Sequence, residues 1–411
     1  MISINIAILG AGPGGAATAL RLSYLGIPCT LIDKAVFPRD KICGDAISGK
    51  VTTLLHRLDP VILDRFHRLS VQSDVWGLRF FSPNGVPVDV PFPIKAGSGH
   101  APGYVCKRLD FDQFLIDEVK KRDDISLHLG QEISDFSRTV NGWQLRSKDG
   151  TFQLECRLLI VADGAQSRFS RTVAGLEKDP AHNAAALRAY YRNVSGMSEE
   201  GFIELHFIKD ITPGYFWIFP LPDGMANVGL GMRSDVLAKK GLKLKDTLLQ
   251  IVAESPSIKE RFKDAELVDK IYGFGLPLGS KTRSISGEHY LLVGDAGHLI
   301  DPITGEGIGN AVYSGFIAAE LAEQCLVEND FSAGRLKAYD ERVARVLGKE
   351  MKLSYRMQKL MAYPGVVNIM ARIVAGNQKM LQILSRMYSD FDLRTQLARP
   401  WFWIKMFIKK G

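Results

Sequence analysis

The sequence of 411 residues has few cysteines and no long apolar segment. Its five cysteines are odd in number and form no Cys-x-x-Cys pair, so we expect neither a disulfide framework nor a structural metal site. No apolar run reaches the ~18 residues that cross a membrane. The N-terminus also lacks the basic start and the cleavage site of a signal peptide. These absences predict a cytoplasmic protein.

Positive charge is concentrated near the C-terminus. Residues 342–411 contain 14 Lys and Arg against three acids, whereas the whole chain has a net charge of +7. The chain ends in Arg399-Pro-Trp-Phe-Trp-Ile-Lys-Met-Phe-Ile-Lys-Lys, which combines aromatic groups with cations. We therefore predict peripheral contact with an anionic membrane surface, with a helical cap folded onto the protein as the alternative. Nucleic acid is not expected as a partner, because the aromatic residues do not alternate with the charges.

The first part of the chain follows the order strand, glycine-rich turn, helix, strand. Apolar residues before Gly10 predict a buried strand, residues 16–25 have helical periodicity, and a second strand ends at Asp33. In this context Gly10-Ala-Gly-Pro-Gly-Gly15 matches a dinucleotide-binding fingerprint. Gly10 permits the tight turn, Gly12 lets the backbone approach a diphosphate, and Gly15 lets helix and strand pack closely. Asp33 is placed to accept from a ribose hydroxyl. A glycine-rich loop without a nucleotide is the alternative.

Two stretches of alternating apolar residues interrupt this pattern. Residues 74–92 predict a β-hairpin, and residues 184–232 predict an antiparallel sheet. The short apolar runs 158–162 and 290–294 are typical of central parallel strands that end in glycine turns. From Ile308 onward the pattern is helical. We therefore predict an α/β fold in which a Rossmann-like domain is interrupted by an antiparallel β-sheet domain and followed by a C-terminal helical region.

Three segments carry a joint signal: the turn at residues 10–15, Ala162-Asp-Gly-Ala-Gln-Ser-Arg-Phe-Ser-Arg171 and Gly294-Asp-Ala-Gly-His-Leu-Ile-Asp-Pro-Ile-Thr-Gly-Glu-Gly307. Together they resemble the flavoproteins of the p-hydroxybenzoate hydroxylase fold. Three further motifs are Phe37-Pro-Arg-Asp-Lys-Ile-Cys-Gly-Asp45, Pro213-Gly-Tyr-Phe-Trp-Ile-Phe-Pro220 and Asp301-Pro-Ile-Thr-Gly-Glu-Gly-Ile308. They are similar to motifs of the geranylgeranyl reductase family. With this resemblance, we divide the chain into an FAD-binding domain (1–70, 101–180 and 281–340), a substrate domain (71–100 and 181–280) and a basic C-terminal helical region (341–411).

The resemblance implies that FAD is the cofactor. The residues expected to bind it are Gly10, Ala11, Gly12, Pro13, Gly14, Gly15, Asp33, Lys34, Cys43, Gly44, Asp45, Arg108, Asp163, Gly164, Gly294, Asp295, Gly305, Glu306, Gly307, Ile308 and Gly309. By resemblance, Asp163 and Arg108 lie beside the dinucleotide and Asp295 meets its ribityl or ribose side. Residues 305–309 open a helix whose positive end can stabilise the reduced flavin ring. A solvated turn or helix-cap carboxylate is the alternative for Asp163, Asp295 and Glu306.

The resemblance places Cys43 beside the flavin ring, where Lys41 is expected to lower the pKa of its thiol. Cys43 and Tyr215 are the candidate catalytic residues, as proton donors to an alkene, with a bound water as a third donor. A buried bystander thiol is the alternative for Cys43. Alternate residues from Tyr215 onward share one face of a strand, and the resemblance implies that this face lines the path of an apolar substrate. An ordinary sheet core is the alternative. The residues expected to bind substrate are Tyr215, Trp217, Phe219 and Pro220.

The predicted function is that of an FAD-dependent oxidoreductase of the geranylgeranyl reductase type, which transfers hydride from reduced flavin to C=C bonds of an isoprenoid or other lipid. Only one glycine fingerprint opens a helix, so an external electron donor is expected: reduced nicotinamide, ferredoxin or another carrier. His298 replaces the apolar residue expected in the reductases and is typical of the hydroxylase branch; a packing or carbonyl-bonded role is the alternative. A monooxygenase or halogenase of the same fold is the alternative function, although no lysine stands between Val51 and Ile94, where a halogenase needs one. A non-catalytic flavin-bound lipid carrier is the third hypothesis.

Overall fold

The computed structural model describes residues 2–94, 99–377, 380–382 and 385. In chain order the β-strands are β1 (Ile2–Leu9), β2 (Cys29–Asp33), β3 (Ala46–Ile47), β4 (Gln72–Val75), β5 (Gly77–Phe81), β6 (Pro87–Pro91), β7 (Gly103–Cys106), β8 (Ile125–Leu129), β9 (Ile133–Arg138), β10 (Trp143–Ser147), β11 (Gln153–Val161), β12 (Asn183–Arg192), β13 (Phe202–His206), β14 (Tyr215–Leu221), β15 (Met225–Arg233), β16 (Glu266–Leu267), β17 (Tyr272–Pro277), β18 (Ser286–Gly287) and β19 (Tyr290–Leu292). The α-helices are α1 (Pro13–Tyr24), α2 (Gly49–Leu58), α3 (Pro60–His67), α4 (Arg108–Val119), α5 (Arg168–Thr172), α6 (Ser234–Lys240), α7 (Leu244–Glu254), α8 (Ile308–Glu328), α9 (Ala333–Val343), α10 (Lys349–Leu360) and α11 (Pro364–Ala375).

The first sheet contains the dinucleotide-binding pattern. Its main strand order is β18-β19-β11-β1-β2-β8, and β1 pairs in parallel with both β2 and β11. β11 and β19 also pair in parallel, as their apolar runs predict. Every residue of β2 is buried, and α1 and α8 pack against each other beside the sheet. The predicted order of strand, glycine turn, helix and strand is therefore confirmed, with the helix starting three residues earlier than its periodicity indicates.

The second sheet is the predicted antiparallel sheet. Its strand order is β16-β12-β15-β14-β13-β5-β6, with β17 also paired to β12. The predicted hairpin is formed by β5 and β6, which extend the sheet at one end. β5 joins it through a parallel pairing with β13, whereas β12 to β15 are antiparallel. The hairpin and the later strands are thus one sheet, although about a hundred residues of the first sheet separate them in the chain.

The two faces of β14 belong to different apolar clusters. Phe216 and Ile218 are buried in a core that includes α7. Trp217 and Phe219 point to the opposite side, where they contact Val105 and its neighbours in a third sheet of order β3-β7-β4. The strand therefore has one face used for the core of the second sheet and one face that meets the rest of the molecule.

Of the C-terminal helices, α10 packs against the loop that precedes α8, and α11 packs against β6. Ser354 of α10 donates to Asp301 at 2.7 Å, and the side chain of Gln358 donates to the carbonyl of Pro302. The predicted helical pattern after Ile308 is confirmed for the described residues. No helix among them is long and apolar enough to cross a membrane. The tail at residues 399–410 lies outside the described residues, so its membrane contact stays a prediction, as do the domain boundaries.

Candidate active site

The glycine-rich turn brings the ends of β1, β2 and β11 together. Gly10 has a φ of +99°, and a Cβ there would lie 2.4 Å from the carbonyl oxygen of Ala162. A Cβ at Gly15 would lie 1.8 Å from the Gly10 carbonyl oxygen, so α1 can approach β1 this closely only with glycine. Asp33 Oδ2 accepts the Ala11 N–H at 2.6 Å. This bond holds the carboxylate of Asp33 beside the turn, where a ribose is expected.

Two arginine side chains lie in front of Gly12. The atoms nearest to a Cβ built at Gly12 are the Nη2 atoms of Arg39, at 3.6 Å, and Arg108, at 3.9 Å. Arg108 is buried and donates twice to Asp112, at 2.6 and 2.7 Å, while Arg39 donates to the same carboxylate at 2.6 Å. Two guanidinium groups thus share one carboxylate and leave a net positive charge beside the turn. A diphosphate at the start of α1 would balance this charge.

Asp163, which follows β11, has a buried acceptor atom. Its Oδ1 has no hydrogen-bond partner among the described residues. Burial raises the pKa of this carboxyl to about 6, although the Ser167 hydroxyl and the charge of Lys34 act in the opposite direction. A hydroxyl of FAD would satisfy the Oδ1 atom, which agrees with the expected place of Asp163. Lys34 itself is exposed.

The loop between β19 and α8 lies at the same edge of the first sheet as the glycine-rich turn. Gly294 has a positive φ, and the next residue, Asp295, forms an ion pair with Lys41 at 3.3 Å. α8 begins at Ile308, so residues 305–309 lead into a helix start as expected. Glu306 accepts a hydrogen bond from Ser48 and lies 3.8 Å from the buried Nζ of Lys50. Protein groups therefore hold the carboxylate of Glu306, and its contact with FAD stays a prediction.

A buried polar network surrounds Asp45. This residue has a φ of +62° and no exposed surface. Its Oδ2 accepts from the Tyr190 hydroxyl at 2.6 Å and from Asn227 at 2.8 Å, and its Oδ1 accepts the Arg108 N–H at 3.2 Å. Burial raises the pKa of the Asp45 carboxyl to about 6, against the opposing effect of these hydrogen bonds. The side chain of Asp45 therefore fixes the local structure, and a direct contact with FAD stays a prediction.

Asn227 connects this network to the aromatic face of β14. Its Nδ2 donates to the Cys43 carbonyl at 2.9 Å as well as to Asp45, and its Oδ1 accepts from Trp217 Nε1 at 2.9 Å. The sequence-based prediction did not include Asn227 or Tyr190. The two residues lie directly opposite each other in the pairing of β12 with β15, and only that register brings them to one point. Their polar side chains at buried strand positions were the available signal.

The thiol of Cys43 is protonated at neutral pH. The residue keeps some exposed surface, but the packing around its sulfur raises the pKa of the thiol. This effect exceeds the lowering by Arg108, by the Asp45 N–H and by Lys41. Lys41 lowers the pKa of the Cys43 thiol, as predicted, but burial raises it by more. The prediction considered a neighbouring charge and did not include burial.

Three aromatic side chains line one face of β14, as predicted. The ring centroids of Tyr215 and Trp217 are 6.2 Å apart, and those of Trp217 and Phe219 are also 6.2 Å apart. A Cβ at Gly44 would lie 3.4 Å from Phe219 and 3.9 Å from Trp217, so the segment that contains Cys43 crosses this face. Pro220 falls on the opposite face by strand alternation. A role in substrate binding stays a prediction for all four residues.

The hydroxyl of Tyr215 and the ring of His298 differ in their hydrogen-bond partners. The Tyr215 hydroxyl donates to the carbonyl of Thr304 at 2.6 Å, and burial raises its pKa. His298 is buried with a φ of +56°, and its Nδ1 has no hydrogen-bond partner in the described part of the chain. Burial lowers the pKa of His298 to about 4, so the ring is neutral at physiological pH. His298 therefore contributes no positive charge to the candidate site at this pH.

Comparisons with known proteins agree with this geometry. A family model described as an FAD binding domain matches residues 3–200, and one described as a geranylgeranyl reductase catalytic domain matches residues 183–274. A digeranylgeranylglycerophospholipid reductase of Methanopyrus kandleri is 30% identical over 364 residues, which cover 87% of each chain. A menaquinone reductase of Mycobacterium tuberculosis is 28% identical over 412 residues, with 97% of this chain and 95% of the relative covered.

Solved structures show the same fold. A geranylgeranyl bacteriochlorophyll reductase-like protein of Thermoplasma acidophilum has a TM-score of 0.80 at 23% identity, with 97% of this chain and 99% of that chain covered. The flavin-dependent brominase Bmp2 has a TM-score of 0.73 at 19% identity, with 95% and 99% covered, which is a likeness of fold alone. The predicted α/β architecture and the use of FAD are thereby confirmed. The chain belongs to the geranylgeranyl reductase family of FAD-dependent oxidoreductases.

Proposed function

We propose that this enzyme reduces C=C bonds in the isoprenoid chain of a lipid. The observation that carries the proposal is the contact between the aromatic face of β14 and the Cys43–Gly44 segment. This apolar surface lies next to Cys43, whose thiol is protonated. Cys43 is also close in sequence to Arg39, one of the groups expected to hold FAD. Relatives named digeranylgeranylglycerophospholipid reductase and menaquinone reductase support a lipid-like substrate.

Bound FAD would supply, in its reduced form, the hydride that adds to one carbon of the double bond. The turn at residues 10–15, the pair Arg39 and Arg108, and Asp163 are the groups that would hold the cofactor. An unactivated alkene stabilises negative charge poorly, so a proton must reach its second carbon in close coordination with the hydride. The protein must therefore keep a proton donor beside the substrate.

Cys43 is the group best suited to donate this proton. Burial keeps its thiol protonated, and the Arg108 guanidinium and the Asp45 N–H stabilise the thiolate that remains when the S–H bond breaks. Solvent then restores the proton. Tyr215 is less suited, because its hydroxyl already donates to the Thr304 carbonyl and burial raises its pKa. Asn227 keeps Cys43 in register with the aromatic face by binding its carbonyl.

An external carrier would restore reduced FAD after each reduction, and a reduced nicotinamide or a ferredoxin fits this role. The alternative of a monooxygenase or halogenase requires oxygen as a co-substrate. This alternative is supported by the likeness of fold to the brominase, at 19% identity. The absence of lysine from residues 51–94 speaks against a halogenase.

Anaerobic turnover tests the proposal. The FAD-loaded protein, reduced with dithionite, is mixed with a polyprenyl lipid, and mass spectrometry follows the gain of about 2 Da per reduced double bond. We expect saturated product without oxygen. The Cys43→Ala variant should keep FAD and lose most of the turnover. Product that forms only in the presence of oxygen, with an added hydroxyl or halogen, would contradict the reductase.

A further inference from the structure

A groove of about 560 Å³ lies between the segment before β14, the region after β15 and the end of α10. Arg233, Arg356 and Lys359 line it, together with the exposed apolar residues Leu360 and Tyr363. None of the described residues that line the groove is acidic. The groove thus combines cationic groups with an apolar rim.

The charge in the groove is concentrated on α10. Arg233 donates to Asp235 at 2.5 and 2.9 Å, so its charge is largely compensated. Arg356 and Lys359 are exposed, and neither forms an ion pair with a described residue. Lys359 Nζ lies 4.3 Å from the centroid of the Tyr355 ring, which holds the ammonium group at the groove. Two positive charges are therefore available to an anion that enters.

The groove and the aromatic face meet at one loop. Gln358, which lines the groove, and Tyr215, which begins the aromatic face, both donate to carbonyl groups of residues 302–304. From Tyr215 the face continues for four residues to Phe219, about 13 Å along a strand. Gly44 and the candidate proton donor next to it lie against that far end. A lipid with its headgroup in the groove would thus direct its chain towards the site of chemistry.

We propose that this groove binds the phosphate of a lipid substrate's headgroup and thereby selects anionic over neutral lipids. The inference rests on the proposed function, which provides the isoprenoid chain along β14. Relatives of this chain are named for two lipids with different headgroups, a glycerophospholipid and a quinone. Two cations without an acidic partner in the described part of the chain favour the phosphate, since arginine binds phosphate through two N–H groups and lysine as a point charge. Leu360 and Tyr363 contact the first part of the chain.

Equilibrium binding to the oxidised, FAD-loaded enzyme tests the groove without turnover. The probes are a polyprenyl monophosphate and the alcohol with the same chain, in non-ionic detergent, followed by protein fluorescence. The native enzyme should bind the phosphate at least tenfold more tightly, and added salt should weaken this binding alone. The double variant Arg356→Gln, Lys359→Gln should lose about tenfold or more for the phosphate and less than twofold for the alcohol.

Two controls separate charge from structure. The variant Arg356→Lys, Lys359→Arg keeps both charges and should keep most of the preference. Lys245→Gln, at an exposed position of α7 outside the groove, should change neither affinity. Equal affinity of the native enzyme for both probes, or equal weakening of both in the glutamine variant, would overturn the proposal. Selective phosphate binding by the oxidised enzyme, together with no reduction of either probe by the dithionite-reduced enzyme, would instead retain the groove and reject the reductase.

Discussion

Replacing Asp45 with asparagine should change how stability depends on pH. Burial raises the pKa of this carboxyl from 3.8 to about 6. Because the folded-state value is the higher one, the folded protein favours the protonated acid. The ionised carboxylate therefore destabilises the fold by about 3 kcal/mol above pH 6, and this penalty disappears below about pH 4. Asparagine is neutral at every pH and tolerates the φ of +62° at this position.

The substitution also has a cost that does not depend on pH. An asparagine oxygen can still accept from Tyr190 and Asn227, but its NH₂ group would face the N–H of Arg108, so one hydrogen bond of about 1 kcal/mol is lost. At pH 4.5 the carboxylate already costs the native fold about 1 kcal/mol, so we expect Asp45→Asn to be about as stable as the native protein there, less stable at lower pH, and more stable by about 2 kcal/mol at pH 8. The two stability curves should cross near pH 4.5.

Thermal unfolding in FAD-saturated buffer measures this difference. The melting temperature of the variant minus that of the native protein should rise from about zero at pH 4.5 to a positive value at pH 8, by a few degrees in total. Asp64→Asn, at an exposed ion pair with Arg68, serves as the control and should show no such rise. A difference that stays constant over this range would refute the raised pKa of Asp45 and the burial that explains it.

Four other substitutions test the site, and a truncation tests the C-terminal tail. Gly12→Val should abolish FAD binding while the protein still folds, since the nearest protein atoms are 3.6 Å from a Cβ there; stoichiometric FAD in the variant would refute the diphosphate position. Trp217→Ala should weaken turnover of long-chain substrates more than short ones, whereas Phe216→Ala on the opposite face should lower stability without dependence on chain length. Cys43→Ala should lower kcat with little change in KM, and an equal rate would exclude its thiol as the proton donor. Truncation after Ala398 should remove salt-sensitive co-sedimentation with anionic vesicles and keep activity on detergent-solubilised lipid.

The arrangement of the candidate cofactor site was largely predictable because its signals are local in sequence. Gly10, Gly12 and Gly15 lie within six residues, and the hydrogen bond from Ala11 to Asp33 follows from the adjacency of the first two strands. The position of Asp163 and Asp295 at the same edge of the sheet is also predictable, because Asp163 follows β11, Asp295 follows β19, and these two strands are parallel neighbours. Such signals can be recognised from the order of the helices and strands along the sequence.

The network around Asp45 could not be predicted in this way. Tyr190 and Asn227 are 37 residues apart, and they meet because β12 pairs with β15 in the register that places them opposite each other. A shift of one residue in this pairing would leave the two side chains on opposite faces of the sheet. The net pKa shift of Cys43 has the same origin: a neighbouring charge can be read from the sequence, whereas burial depends on how distant elements pack.

The position of Asn227 also explains why a costly buried carboxylate is kept next to the site. Asn227 touches Trp217 on the proposed substrate surface, Cys43 at the proposed proton donor, and Asp45. An apolar residue at position 227 would leave the Trp217 N–H and the Cys43 carbonyl without partners, each at a cost of about 1–3 kcal/mol. The Asp45 carboxylate in turn orients the Asn227 amide, since only Nδ2 can donate to it and Oδ1 is then directed at Trp217. The alignment of substrate surface and thiol therefore depends on Asp45, and the stability that Asp45→Asn recovers at pH 8 should be accompanied by weaker control of this amide and a lower kcat.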